Sequence, residues 1–257
     1  MADLDTNSFT PQSDPDVFRE YELGSKLEGK LKRTFHVYKS DKQVGYYLEK
    51  VFDESGSLIS MVKRTQDGRS ETRFDENGDV AKIFESYTLP DGNILTKEKK
   101  YLAEDRTKET VLVISPRGHL VRSVLREAKG LINLFQSQTE FIKDGIPSYS
   151  VNHWFEPDKG VMVHREQIQW LQDGVRGLTE HFRFSPQGQL HRYHKILFHP
   201  TTQRYLEEAH LYDPDKQILL KKEVKTYSSQ DSMAQLEITT YDANGQLLES
   251  NRLFTQI

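Results

Sequence analysis

The side chains in this sequence best suited to chemistry are its histidines, since imidazole moves protons near neutral pH and also ligates metals. There are nine. His181, His191, His194, His199 and His210 cluster along one stretch, together with Glu207 and Glu208. A turn at Ser185-Pro186-Gln187-Gly188 that pairs residue 183 with 190 brings His181 toward Arg192. A turn near Pro200 that pairs residue 198 with about residue 204 brings His194 toward Glu208 and His210 toward Arg192. That makes a candidate His–Glu pair. Zinc, however, asks for three or four converging ligands. His191 and His194 are an odd number of residues apart, so a regular strand sends them to opposite faces. Glu207 and Glu208 diverge for the same reason and cannot act as an acid–base pair. The favoured reading is cross-strand surface histidines, with no catalytic residue, metal or cofactor.

Other reaction classes leave no trace. There is no nucleophile elbow, phosphate loop, dinucleotide fingerprint or zinc-helix motif. Gly174-Val175-Arg176-Gly177 is too short to be one and sits between strands. The chain has no cysteine, which removes disulfides, thiolate metal sites and cysteine nucleophiles together. The aromatic residues are the stronger lead. Trp154, Phe155, Trp170, Phe182, Phe184, Tyr193, Phe198 and Tyr205 are concentrated in the second half, with Arg165, Arg176, Arg183 and Arg192 among them. Cross-strand packing accounts for such residues in any sheet. Exposed Trp, Tyr and Arg are also the usual anchors of protein interfaces. Trp154, Trp170, Arg183, Phe184, Tyr193 and Tyr205 are therefore the candidate protein-binding residues.

Composition narrows the partner class. Net charge is −4, whereas nucleic-acid binders concentrate Lys and Arg against phosphates. The signs interleave, as in Lys97-Glu98-Lys99-Lys100 and Lys221-Lys222-Glu223, which reads as a solvated sheet face. The expected partner is another protein, not nucleic acid. No segment approaches the roughly 18 apolar residues of a membrane helix. Strand-like stretches such as Asn93 to Tyr101 carry charge on both faces, so insertion as a membrane barrel is not expected either. Met1-Ala2-Asp3-Leu4-Asp5 lacks the basic and apolar regions of a secretory signal. With no cysteine to protect, a cytoplasmic location is the expectation.

The elements that carry these side chains read as all-β. Hydrophobic residues make up 35% of 257, below the roughly 45–50% of an ordinary domain, and mean hydropathy is −0.72. Aromatics at 11% argue against disorder. Residues 1–32 read as a flexible leader, with Asp14-Pro15-Asp16 starting a short helix over about Pro15 to Glu22. From about Arg33, turn signals recur roughly every 10 to 15 residues. They include Glu76-Asn77-Gly78, Pro90-Asp91-Gly92, Ala128-Lys129-Gly130 and Ala243-Asn244-Gly245. Asn-Gly and Asp-Gly suit two-residue hairpin turns. Between turns lie segments such as Thr110-Val111-Leu112-Val113-Ile114. Residues 119–136 allow both a helix and two strands. Strands are favoured, because Pro116-Arg117-Gly118-His119-Leu120 matches Pro186-Gln187-Gly188-Gln189-Leu190. Residues 33–257 form the hairpin domain, with possible halves 33–127 and 128–257.

The hairpins share a signature: an aromatic, then Asp or Ser, then a turn ending in Gly or Lys, then an apolar residue. It reads Phe52-Asp53-Glu54-Ser55-Gly56-Ser57-Leu58 and Phe74-Asp75-Glu76-Asn77-Gly78-Asp79-Val80. Further copies begin at Phe184 and Tyr241, and looser ones at Phe155 and Tyr212. Phe155, Phe184, Tyr212 and Tyr241 stand about 28 or 29 residues apart, the length of a two-strand unit. The stretch from Gly68-Arg69 through Asn77-Gly78 to Tyr87 and Asp91-Gly92 resembles the MORN-variant repeat. Tyr241-Asp242-Ala243-Asn244-Gly245-Gln246-Leu247 resembles the tyrosine–aspartate repeats of Rhs-type shells. The sheet also resembles, in character, the single-layer sheet of spirochaete outer-surface lipoproteins. The MORN-variant resemblance implies a bacterial repeat protein with an interaction surface and no catalytic residue.

The expectation is thus an all-β fold. It is a long antiparallel β-meander of hairpin repeats forming an extended twisted sheet, with a short N-terminal helix. Its expected role is non-enzymatic, as a protein-binding or scaffolding protein acting through a broad sheet face. The alternative is a β-barrel closing around a small hydrophobic ligand. Lys221, Lys222 and Pro200 are expected to protect sheet edges. A compact domain of this length has a radius of gyration of about 18 Å. Small-angle scattering is expected to return a clearly larger value, and a value near 18 Å rejects the extended sheet.

Overall fold

An Asp or Ser placed just after an aromatic decides how each hairpin turns. The computed structural model describes residues 16–21, 31–40, 43–142, 145–200, 204–228, 233–242, 244 and 246–256. In the Phe74–Val80 copy, Asp75 Oδ1 accepts the backbone N–H groups of Asn77 and Asp79, each at 2.9 Å. Gly78 N–H donates to the Asp75 carbonyl at 3.1 Å, and Asp75 N–H donates to the Asp79 carbonyl at 2.9 Å. These bonds define a turn followed by one left-handed residue, Gly78 at φ 84°. The same pattern forms at Asp53 and Asp242, and at Ser185 through its hydroxyl.

The two-residue turns expected at Asn-Gly are therefore corrected. Such a turn needs positive φ at both central residues, and Asn77 is not left-handed. The Asp75 carboxylate holds the preceding peptides in the three-residue form instead. Among the described residues, a consecutive left-handed pair occurs at Glu104 and Asp105, at φ 60° and 58°, with no glycine. The looser copies carry one more residue. Gly160 N–H donates to Glu156 and Gln217 N–H to Asp213, each at 2.8 Å. Phe155 then sits opposite Met162, and Tyr212 opposite Leu219.

The strands divide between two units, separated between Ala103 and Glu104. The first holds β1 (Asp16–Tyr21), β2 (Leu31–Ser40), β3 (Gln43–Phe52), β4 (Leu58–Thr65), β5 (Gly68–Phe74), β6 (Val80–Thr88) and β7 (Ile94–Leu102). Each pairs antiparallel with the next. The second holds β8 (Arg106–Ile114), β9 (Leu120–Lys129), β10 (Ile132–Phe141), β11 (Pro147–Phe155), β12 (Met162–Trp170) and β13 (Arg176–Phe184). It continues with β14 (Leu190–His199), β15 (Arg204–Tyr212), β16 (Leu219–Ser228), β17 (Met233–Tyr241) and β18 (Leu247–Gln256). These too pair consecutively and antiparallel.

Three expectations meet this arrangement. Residues 119–136 are strands β9 and β10, turning at Gly130 with φ 56°. The helix expected over 15–22 is not what residues 16–21 adopt: they form β1, paired with β2. So short a helix is marginal in water, whereas β2 supplies hydrogen-bond partners along one edge of the strand. Residues 15 and 22 lie outside the described residues. Lys221 and Lys222 sit on β16, which pairs on both sides, so they are not edge charges.

A sheet with one dry face alternates buried and exposed residues. Here both faces are half-buried, as along β6 and β11. The buried apolar residues among those described are Val62, Val113, Ile168 and Ala234, and none is large. Neighbouring side chains on the same face do the covering, so cross-strand pairs carry the packing. In the first unit, Arg73, Lys82 and Lys100 face one another in a row across β5, β6 and β7. Glu71 binds Arg69 and Arg73 at 2.6 and 2.7 Å. Glu98 binds Lys82 and Lys100 at 2.6 and 3.0 Å. Hydrogen bonds from these cations hold both carboxylates below their usual pKa range, the bond from Arg73 dominating at Glu71 and that from Lys82 at Glu98.

The turn geometry makes a direct prediction. A Cβ at Gly78 meets nothing within 4 Å, so Gly78→Ala tests backbone conformation alone. It is expected to destabilise the protein by about 1 kcal/mol, read as a lower urea midpoint, with Gly78→Asn costing less. An unchanged midpoint for Gly78→Ala removes the left-handed turn.

Candidate functional site

The bulged turns set which residues face each other across β11 to β16. Phe184 sits opposite Leu190, and the register then shifts so that Arg183 faces Arg192. Continuing the row, His164 faces Arg183, Arg192 faces Leu211, and Leu211 faces Lys221. One step along the strands, on the same face, a second row runs Glu166, His181, His194, Ala209 and Glu223. Together these rows make an arginine face.

An aromatic stack crosses it. Phe135 and Trp154 have ring centroids 5.3 Å apart. Trp154 stacks on His164 at 4.7 Å, His164 on His181 at 5.6 Å, and His181 on His194 at 5.8 Å. Each histidine of the stack is half-buried by its neighbours. Glu166 Oε1 lies 3.7 Å from His181 Nδ1, while Glu166 Oε2 accepts from Asn152 Nδ2 at 2.8 Å. His194 Nε2 lies 2.8 Å from Glu207 Oε1, and a carboxylate can only accept, so that nitrogen carries the hydrogen. The Nε2 atom of His164 is shielded from water and has no hydrogen-bond partner.

The six candidate residues divide between the two faces. Trp154, Trp170, Arg183 and Tyr205 belong to the arginine face. Trp170 Nε1 reaches Ser150 Oγ at 3.4 Å, and Tyr205 packs between Phe198 and Tyr227 at 4.9 and 5.1 Å. Tyr193 belongs to the opposite face. Its ring lies 5.1 Å from Phe182, and its hydroxyl donates to Glu180 Oε1 at 2.7 Å. Burial, followed by that bond to Glu180, raises the Tyr193 phenol far above its usual pKa. Phe184 ends β13 at the turn, opposite Leu190.

The expected histidine neighbours are also corrected. His181 faces His194 rather than Arg192, because the turn pairs Phe184 rather than Arg183 with Leu190 and the bulge beside Phe184 adds a further residue to the return strand. His194 faces Ala209 and bonds Glu207, not Glu208. His210 faces Tyr193 and hydrogen-bonds Tyr212 at 3.2 Å. A register one residue off moves a side chain to the other face. His164, absent from the cluster read in sequence, proves central. Counting outward from the Glu156–Gly160 turn puts Val163 opposite Trp154, and the register shift between Trp154 and Phe155 brings His164 there instead. Among the described residues no group of three or more His, Asp or Glu side chains is placed to hold a metal ion. No helix among them is long and apolar enough to cross a membrane.

Neither a known protein family nor a curated protein matches the sequence. Solved structures similar to the chain include the crystal structures of TcdB2-TccC3-TEV and of TcdB2-TccC3. Identity is 10% and TM-score 0.17 in both, over 90% and 93% of this chain. The chain spans about a fifth of those chains' length, 18% and 20%. On its own geometry, the run of consecutive antiparallel hairpins fits a repeat protein.

The histidines make stability depend on pH. Burial lowers the pKa of His164, aided by His181 and Arg183 and opposed by Glu166. Burial also lowers His181, with Glu166 opposing and His194 and the arginines assisting. On the opposite face, burial lowers His153 and His210, with Arg165 and Lys222 adding to it. The unfolded chain therefore binds these protons first, near the ordinary pKa of about 6.5. Their contribution is present above that pH and is lost as pH falls below it, through the folded-state values. Urea midpoints are expected to drop between pH 7.5 and 5.5, and less steeply in a His164→Gln, His181→Gln double variant. Equal slopes for the two proteins remove the stack as the cause.

Proposed function

We propose that this chain is a non-enzymatic β-repeat protein that binds another protein through the arginine face of β11–β16. The observation that carries this reading is the convergence of Trp154, Trp170, Arg183 and Tyr205 on that one face. Interfaces draw most of their affinity from a few Trp, Tyr and Arg residues at the centre of a patch. The supporting strands are rigidly paired on both sides, so the patch is preorganised, which lowers the ordering cost of association. The histidines are turned toward one another, Trp154 and carboxylates, an arrangement suited to packing rather than to activating a nucleophile. The resemblance of the turn signature to MORN-variant or tyrosine–aspartate-type repeats supports reading it as a bacterial repeat protein, and the cysteine-free composition supports a place in the cytoplasm.

Partner capture from a bacterial lysate tests the reading. Wild type is compared with a Trp170→Ala, Arg183→Ala variant and with Arg165→Ala, which alters the opposite face. The expected result is loss of a specific captured protein in the first variant and retention in the second. Equal recovery by all three rules the arginine face out.

A further inference from the structure

We propose that the hollow on the arginine face is an oxyanion site, built for a phosphoryl dianion, between Arg183, Arg192 and Lys221. This deepens the binding role proposed above by naming what the face recognises. The hollow has a volume of about 550 Å³ and is lined by Arg183, Arg192, Lys221, His164, His181 and His194, with Glu223 at its rim.

Three observations lead to an anion. First, Arg183 and Arg192 are directly opposed across β13 and β14. Like charges so placed repel, yet among the described residues neither guanidinium has a carboxylate partner. The first unit shows how this chain handles the same problem elsewhere. There, in the row of opposed Arg73, Lys82 and Lys100, every cation has a carboxylate: Glu71 binds Arg73, and Glu98 bridges Lys82 and Lys100. The arginine face repeats the cationic row without the bridging carboxylates. Second, the charge of the hollow does not cancel. Arg183, Arg192 and Lys221 stand against Glu223 alone, which is held by Lys221 at 2.5 Å. Before any histidine is counted, two positive charges are left over. Glu166 and Glu207 share the face, but Glu166 lies one row from the arginines and is held by Asn152 and His181. Glu207 lies two rows away on His194. Third, His164 faces Arg183 and holds an unpartnered, water-shielded Nε2 at the hollow.

A phosphoryl group carries about −1.5 to −2 charge near neutral pH and offers three acceptor oxygens. That matches two excess positive charges and two planar guanidinium forks, whose geometry suits bidentate contact with such oxygens. A monocarboxylate neutralises half of the excess. The same chemistry is presented by free inorganic phosphate and by a phosphorylated side chain of the bound protein, so the test uses both.

Calorimetric titration of the full chain with inorganic phosphate, and separately with a phosphoserine peptide and its unphosphorylated twin, decides the matter. Wild type is expected to bind the phosphorylated probes and not the twin. Binding of the peptide without free phosphate identifies the source as a modified protein, and binding of both identifies the shared group. Arg183→Gln and Arg192→Gln are each expected to weaken binding about tenfold or more. Lys222→Gln, on the opposite face, leaves it unchanged. Neither arginine variant should fail to fold, because each relieves a repulsion, so midpoints at or above wild type are expected without ligand. No binding of either phosphorylated probe, or equal binding by wild type and Arg192→Gln, overturns the site. Phosphate binding that depends on Arg192, combined with lysate capture that ignores the Trp170→Ala, Arg183→Ala change, rejects the protein-binding reading and keeps the oxyanion site.

Discussion

A carboxylate or hydroxyl oxygen bonded to two backbone N–H groups is the contact on which the rest depends. Asp53, Asp75, Ser185 and Asp242 each make it just after an aromatic residue. It selects a three-residue turn with one left-handed position, and so places a register shift at the aromatic itself. Phe52, Phe74, Phe184 and Tyr241 all sit at such shifts. Because side chains alternate along a strand, this one-residue choice decides which face every downstream residue occupies. Arg183 meets Arg192, and His181 meets His194, as a consequence of how Ser185 holds its turn.

The energetics follow from having little to bury. Among the described residues the buried apolar side chains are few, so stability comes from pairs across neighbouring strands, each worth a few tenths to about 1 kcal/mol. Such pairs tolerate charge, provided that opposite signs meet. The Arg69–Glu71–Arg73 and Lys82–Glu98–Lys100 bridges show this balance in the first unit. Where the balance fails, between Arg183 and Arg192, the sheet retains repulsion that contributes nothing to folding. Unbalanced charge beside half-buried aromatic rings is a common mark of a surface meant to meet something else. The stacked Trp154, His164, His181 and His194 stiffen that surface, since every ring is held on both sides by strands that are themselves paired.

The all-β class and hairpin order were legible in the sequence. Asn-Gly and Pro-x-Gly turns at regular intervals, β-branched segments and a repeating aromatic–Asp signature leave few other arrangements. The two-strand period of Phe155, Phe184, Tyr212 and Tyr241 corresponds to the ends of β11, β13, β15 and β17. Strands rather than helix over 119–136 were also readable, from the match between two turns. The aromatic–arginine character of the second half was visible as composition. What could not be read was the partition of those residues. Trp154 and Tyr193 carry no mark of belonging to opposite faces.

Turn chemistry and alternation are local, so the sequence by itself determined that hairpins form, where they turn and how many residues separate their repeats. Register is not local. A turn that pairs Phe184 rather than Arg183 with Leu190, plus one bulged residue beside it, moves His181 from Arg192 to His194, and a one-residue difference between β14 and β15 exchanges Glu208 for Glu207 beside His194. The cluster on the arginine face draws on β10 through β16, and each added strand compounds the uncertainty of the previous turn. Only the folded sheet sums those offsets, because the hydrogen bonds that set each register join residues that nothing in the sequence pairs in advance.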